Sequence, residues 1–364
     1  MKSRSYIIKT GLYKAKKEVF IKKYTVFWDK LAKYIVKDLK CSKIEKWDNF
    51  REDGDNMNKI PVLILTGPTA VGKTRLSVEL AKALNGEIIS SDSMQIYRYM
   101  DIGSAKVTEE EMSGVKHYMI DVVDPDEDFS VSDFKEQSEK LIEDIHSRGK
   151  LPIVTGGTGL YLNALIYDMD FGKSNSDEKL REELYALYEE HGVEYMHNML
   201  KELSPESAER IHPNNVKRVI RAIEIYKLGG ELGDFSKDLK LNEKIDAKIV
   251  VLNRDRKLLY ERINLRVDLM FDAGLLDEVR KLKDMGYTQD MVSMKGIGYK
   301  EVLDYFDGKN DLETTKDIIK QSSRKYAKRQ LTWFRKYKDA LCIDVGEVTD
   351  IDEQIKLIEE YIAE

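Results

Sequence analysis

Between residues 59 and 345 the chain alternates short unbroken apolar runs with longer stretches whose apolar positions recur every three or four residues. The runs PVLILT (61–66), EIISS (87–91), KHYMIDVV (116–123), LPIVT (151–155) and AKIVVL (247–252) have the length of strands. Continuous hydrophobicity suits strands covered on both faces. Helical patterns lie between them. Leu76, Leu80 and Leu84 share one face of 75–84; Phe134, Leu141, Ile142 and Ile145 share one face of 130–147, which Gly149 stops. Strands alternating with helices predict an α/β fold on a parallel, doubly wound sheet.

From about Asp168 the texture changes. A charged helical stretch over 176–203 carries Leu180, Leu184, Leu187 and Tyr188 on one face, and Ser204-Pro205 is a helix start. A further helix sets Lys217, Arg218 and Arg221 against Ile220, Ile223 and Tyr226, and Gly229-Gly230 ends it. Taken alone, those cations read best as a solvated face. Strand texture then returns, followed by a helix over 256–271 bearing Arg262 and Arg266. The expected organisation is an N-terminal extension (1–56), a first core part (57–173), a helical insertion (174–245), a second core part (246–345) and a helical tail (346–364). The extension is rich in lysine, with aromatics between. It is either a basic arm or a segment that the core does not need, with Met57 as the start; the second reading is favoured.

The first stretch with chemistry is Gly67-Pro68-Thr69-Ala70-Val71-Gly72-Lys73-Thr74, a full match to G-x-x-x-x-G-K-[ST] between a strand and a helix. Its glycines let backbone N–H groups converge on phosphate oxygens, and the helix N-terminus adds about half a positive charge. Lys73 supplies a point charge, and the Thr74 hydroxyl can ligate Mg²⁺. The loop names a phosphate and leaves the reaction open. Asp92 follows the second strand, where an acid points into the crevice at the carboxyl ends of the strands. It is either a general base, a metal-organising carboxylate, or a cap on the turn Ser93-Met94-Gln95. Gly156-Gly157-Thr158-Gly159 repeats the strand–glycine–helix turn, and Thr158 could face the same ligand.

Composition narrows the classes. Hydrophobic content is 42% and net charge −6, which supports a real core and confines any nucleic-acid surface to a local patch. Cys41 and Cys342 make no disulfide framework. No apolar run approaches the ~20 residues of a membrane helix, so a soluble cytoplasmic protein is expected. None of the five histidines has metal-like spacing with another ligand. The local patch is KQSSRKYAKRQLTWFRKYK (320–338), where Lys320, Arg324, Lys325, Lys328, Arg329, Arg335, Lys336 and Lys338 meet no acid, and Tyr326, Trp333, Phe334 and Tyr337 interleave. Such a stripe reads as an RNA footprint. A helix with its aromatic side in the core explains the aromatics as well, but explains the uninterrupted charge poorly.

GPTAVGKT, SDSMQIY, DIGSAK, DPDEDFSVSDF, GGTGLY, HPNNVKRVIRAIE, KGIGYKE and YAKRQLTWFRK, in that order over about residues 60–340, resemble the tRNA dimethylallyltransferases of the bacterial type. The N-terminus departs from that pattern, and the C-terminal zinc finger of eukaryotic relatives is missing from it. The resemblance implies a nucleoside-kinase-like P-loop core. It implies transfer of a dimethylallyl group from dimethylallyl diphosphate to N6 of the adenosine 3′-adjacent to a tRNA anticodon, with Mg²⁺ held in part by Thr74. It makes residues 67–74 the diphosphate cradle, Arg266 its clamp, Asp92 the general base and Thr158 its partner. It places Asp92, Ser93, Met94 and Gln95 near the target base. It places Lys217, Arg218, Arg221, Lys295, Gly296, Gly298, Tyr299, Lys300, Lys328, Arg329, Gln330, Trp333 and Arg335 on the anticodon stem-loop. A monomer suffices for this. Rival readings are a P-loop kinase of small molecules or nucleotides and a nucleotide-gated RNA-binding protein without transfer activity. The missing N-K-x-D motif weakens a GTPase switch.

Overall fold

The computed structural model describes residues 59–169, 177–230, 232 and 239–363. The expected extension 1–56 and the chain start at Met57 lie outside the described residues. The strands are β1 (Ile60–Thr66), β2 (Gly86–Ser90), β3 (His117–Tyr118), β4 (Leu151–Gly156), β5 (Ile245–Asn253) and β6 (Leu341–Asp344). They form one sheet in the order β3-β2-β4-β1-β5-β6, with every pair parallel. β1 is central, and its Val62 to Leu65 are buried on both faces, as its unbroken apolar run requires.

Helices α1 (Lys73–Ala83), α2 (Glu109–Met112), α3 (Val131–Ser147) and α4 (Gly159–Ile166) connect the first strands. One layer packs Phe134, Ile142 and Ile145 of α3 with Tyr161, Leu162 and Leu165 of α4. α3 starts with a reciprocal cap, in which Ser130 accepts from the Asp133 N–H and Asp133 accepts from the Ser130 N–H. α8 (Arg256–Asp272), α9 (Leu275–Asp284), α10 (Tyr299–Phe306) and α11 (Leu312–Phe334) follow β5, and α12 (Ile351–Ala363) closes the chain. Val267, Leu275, Val279, Leu282, Tyr299, Val302 and Ile319 from this group pack with Ile96 and Met100, which brings the second half of the chain over the loop after β2.

α5 (Glu178–Leu203), α6 (Pro205–Arg210) and α7 (Val216–Lys227) have their own core of Leu184, Met196, Leu200, Ala208, Ile211, Val219, Ile220, Ala222 and Ile223. α5 breaks at Gly192, where φ is 79°. The chain leaves and re-enters the core side by side, as Asp168 N–H donates to Lys240 O and Asn242 N–H to Ile166 O.

One expectation needed correction, and two elements are additional. The strand foreseen over 116–123 is only His117–Tyr118, because Met119 (φ 61°) and Asp121 (φ 55°) turn the backbone out of the extended region. β6 and α9 were not foreseen at all.

Candidate active site

β1 ends in the phosphate loop. Gly67 passes so close to β5 that a Cβ there would lie 2.6 Å from Leu252 O, which restricts the position to glycine. Gly72 (φ 117°) starts α1 with no side-chain cap, and Gly72, Lys73 and Thr74 line the adjoining cleft. Buried Val71 and Pro68 anchor the loop from beneath. The Lys73 ammonium donates to Gly67 O (2.8 Å) and Pro68 O (2.9 Å). These are carbonyls of the loop it serves.

β2 and β4 deliver the opposite wall. Asp92 Oδ1 accepts from the Met94 N–H at 2.9 Å, so the carboxylate does shape the turn. It also lines the cleft with Lys73 and Arg266, so capping and chemistry are compatible. Thr158 Oγ1 accepts from the Ser93 N–H at 3.1 Å and leaves the start of α4 without a side-chain cap. Gln95 is oriented at both ends of its amide: Oε1 accepts from the Ser90 hydroxyl (3.1 Å) and Nε2 donates to Ala105 O (3.3 Å).

α8 and α11 close the cleft. Arg262 Nε donates to Ala70 O (3.0 Å), and Arg266 Nη1 to the Thr69 hydroxyl (3.2 Å). Exposed Leu265 and Leu269 add an apolar wall beside these cations. The cavity is about 430 Å³. Its electrostatics favour an anion. Burial brings the Lys73 pKa down to about 8, against the pull of Asp92 and with a further push from Arg266. Burial lowers the Arg266 pKa too, again opposed by Asp92. Lys73, Arg262 and Arg266 line the cleft against the carboxylates of Asp92 and Glu111, which leaves it short of negative charge. Burial and the Asp92 charge push the Tyr326 phenol up, which keeps it a neutral hydrogen-bonding group.

Among the described residues no His, Cys, Asp or Glu cluster could hold a metal by itself. A hard cation bound mainly through diphosphate oxygens needs only one or two protein oxygens. The cleft offers Thr74, Asp92 and Thr155, whose buried hydroxyl has no hydrogen-bond partner.

The remaining expected residues divide. Lys217 and Arg218 are exposed on α7, but Arg221 is bonded to Glu224, a fully buried carboxylate that also holds Arg181. Lys295 donates to Asp290 O, and Lys300 is exposed. Gly296 packs against Met94, joining the KGIGYK turn to the Asp92 turn, and Gly298 (φ 101°) opens α10. Lys328, Arg329 and Arg335 are exposed on or just after α11. Trp333 is half-buried against Gly159 and donates to Asn163 Oδ1 (3.3 Å). Two residues expected on RNA have their polar groups engaged inside the protein. Tyr299 is fully buried, and its hydroxyl donates to Glu278 Oε1 at 2.7 Å. Gln330 is 5% exposed and bonds the two glycine turns to each other. The contributions of Thr155, Glu278 and Gln330 to this region were not foreseen. The only available signal was the place of Gln330 in the stripe, and that pointed to RNA.

The IPP transferase family model matches residues 95–337. The chain belongs to the IPP transferase family. Relatives in this family include a tRNA dimethylallyltransferase of Clostridioides difficile, 60% identical over 297 residues, covering 82% of this chain and 96% of its own. Another tRNA dimethylallyltransferase, from Alkaliphilus oremlandii, is 56% identical, with 76% of this chain and 89% of its own covered. Among solved structures, the tRNA isopentenylpyrophosphate transferase of Bacillus halodurans matches at 48% identity and TM-score 0.63, covering 84% of this chain and 96% of its own. A eukaryotic dimethylallyltransferase acting on tRNA matches at 32% identity and TM-score 0.69, covering 80% and 75%. Family membership carries with it the P-loop-like core and the prenyltransferase class.

Proposed function

We infer that the protein transfers a dimethylallyl group from dimethylallyl diphosphate to N6 of the adenosine 3′-adjacent to the anticodon of certain tRNAs. One observation carries the reading at the level of residues: the phosphate loop and Asp92 line the same cleft, and the Asp92 charge acts on both Lys73 of the loop and Arg266. A kinase would share the loop and the acid, but the relatives are prenyltransferases, and a kinase has no use for the basic face of α11. A protein that only bound RNA would not need a cradle and a carboxylate facing each other.

Residues 67–74 hold the donor's diphosphate. N6 forms its bond to C1 of the donor while the C1–O bond breaks, and diphosphate leaves with the electron pair. Lys73 and Arg266 offset the charge that grows on the leaving oxygen. Asp92 takes the N6 proton. Thr158 holds the Ser93 amide and so sets the turn that aims the carboxylate. Thr74 would help hold Mg²⁺, which would supply further charge neutralisation there. Leu265 and Leu269 offer the apolar surface that the prenyl group needs. The target base reaches Asp92 only when flipped out of its stack. Lys217, Arg218, Lys300, Lys328, Arg329 and Arg335 contact the phosphates of the anticodon stem-loop. One copy of the chain suffices, in a compartment that holds tRNA, such as the cytoplasm.

The test is mass spectrometry of tRNA nucleosides after incubation with the purified protein and dimethylallyl diphosphate, with ATP in a parallel reaction. Prenylated adenosine in the first reaction alone is expected. Phosphorylated product with ATP and no prenylation would overturn the reading.

A further inference from the structure

α11 has two faces. Lys325, Lys328, Arg329 and Lys336, just after the helix, border a shallow basic groove on the outside. Tyr326, Gln330 and Phe334 recur every fourth residue on the inside, and Gln330 is 5% exposed. A glutamine this deep must have both ends of its amide satisfied. Its Oε1 accepts from the Thr69 N–H at 2.9 Å, and its Nε2 donates to Gly157 O at 2.9 Å. One partner is a donor and the other an acceptor, so only one orientation of the amide serves both.

The two partners belong to different halves of the site. Thr69 is in the phosphate loop, and its hydroxyl is held by Arg266. Gly157 precedes Thr158, which holds the Ser93 amide beside Asp92. β1 and β4 are paired as far as Thr66 and Gly156. Gln330 spans the turns just beyond that last pair. The fit is close: a Cβ at Gly157 would lie 2.2 Å from Nε2, so any side chain there would displace the amide. Tyr326, one turn earlier on α11, lines the same cleft as Gln330.

We propose that Gln330 is a positioning residue for prenyl transfer: its amide fixes the distance between the donor cradle and the acceptor turn, and thereby the approach of the donor carbon to N6. This rests on the function inferred above. It assigns Gln330 no contact with RNA, although its neighbours on α11 face RNA. Misplacing reacting groups by about an ångström costs on the order of 10²-fold in rate.

The test uses Gln330→Met, which keeps length and removes both hydrogen bonds, and Gln330→Glu, which keeps an acceptor for Thr69 and sets an oxygen against Gly157 O. Single-turnover transfer at saturating donor and tRNA is expected to fall roughly 30- to 100-fold in both, with the tRNA Kd within threefold of wild type. Hydrogen exchange at the Thr69 amide, measured on the protein alone, is expected to accelerate at least about tenfold in Gln330→Met as its acceptor is lost. A general loss of folding would instead lower the melting temperature and weaken tRNA binding together. A wild-type single-turnover rate in Gln330→Met overturns the proposal. So does a loss of tRNA affinity with the rate at saturation retained, which would make Gln330 an RNA contact. Should wild-type protein transfer no prenyl group, the functional reading fails by itself. The bridge is then judged on Thr69 exchange, and unchanged exchange in Gln330→Met refutes it.

Discussion

Lys73 makes the most quantitative prediction. Burial brings its pKa from 10.5 down to about 8, partly countered by Asp92 and reinforced by Arg266. A bound diphosphate supplies the missing negative charge and raises that pKa again, so the protonated lysine is the form that binds. At pH 7 most of the free protein holds this proton, and at pH 9 about one molecule in eleven does. Donor affinity therefore falls about tenfold between pH 7 and pH 9, or about 1.4 kcal/mol. The donor's own charge is steady in this window, because the last ionisation of a phosphoryl group lies near about pH 6. Isothermal titration of dimethylallyl diphosphate, without tRNA, in buffers of different ionisation enthalpy reads both the affinity and the proton uptake. Uptake approaching one proton is expected at pH 9 and little at pH 7. Removing the Asp92 charge (Asp92→Asn) moves the midpoint below 8, and removing the Arg266 charge (Arg266→Gln) moves it above 8. The stability of the free protein follows the same proton. Between about pH 8 and 10.5 the unfolded chain binds more protons at this lysine, so this group makes stability rise with pH there. Affinity that is flat from pH 7 to pH 9, with no proton uptake, would refute the reasoning.

Three further outcomes follow from the geometry. Tyr299→Phe should leave the tRNA Kd within twofold, measured by filter binding, and lower stability by about 1 kcal/mol, because only the bonds to Glu278 and the Ser104 N–H are lost. Glu87 sits at the far end of β2 from the cleft, its carboxyl held well below the usual range chiefly by Arg148, with Lys150 and Tyr118 also bonded to it. Glu87→Ala should therefore cost about 1 to 2 kcal/mol in urea unfolding, because the cations it leaves behind are open to water, while transfer at 25 °C stays near wild type. The double variant Lys328→Ala, Arg329→Ala should weaken tRNA binding and reduce the slope of log K against log salt by about 1.5, as two phosphate contacts are removed.

What could be read beforehand was local. The phosphate loop is eight consecutive residues with a strand before it and a helix after it, so its position and chemistry are written in one stretch. Asp92 and the Gly156-Gly157-Thr158 turn sit at the ends of apolar runs, where a parallel sheet places its crevice. Other features depend on contacts between distant residues. Gln330 meets Thr69 across 261 positions, and no pattern around it distinguishes a bridge from an RNA contact. Glu278 gathers the N–H groups of Asp101, Ile102 and Gly103 from 175 or more positions away, and Tyr299 is buried through this cluster. The over-long third strand has a different cause. KHYMIDVV satisfies an apolar run, and its left-handed residues Met119 and Asp121 are not the glycines that announce a turn. β6 was missed because four residues, one of them an exposed cysteine, carry too little periodicity to register.

The central claim is that one cleft holds a prenyl diphosphate at the loop and a base amine at Asp92. The most direct measurement is single-turnover transfer by Asp92→Asn at saturating donor and tRNA, with tRNA affinity determined on the same preparation. A rate reduced about 10²- to 10⁴-fold, with the tRNA Kd changed no more than a few-fold, is the predicted result. Transfer at the wild-type rate by Asp92→Asn would contradict the account.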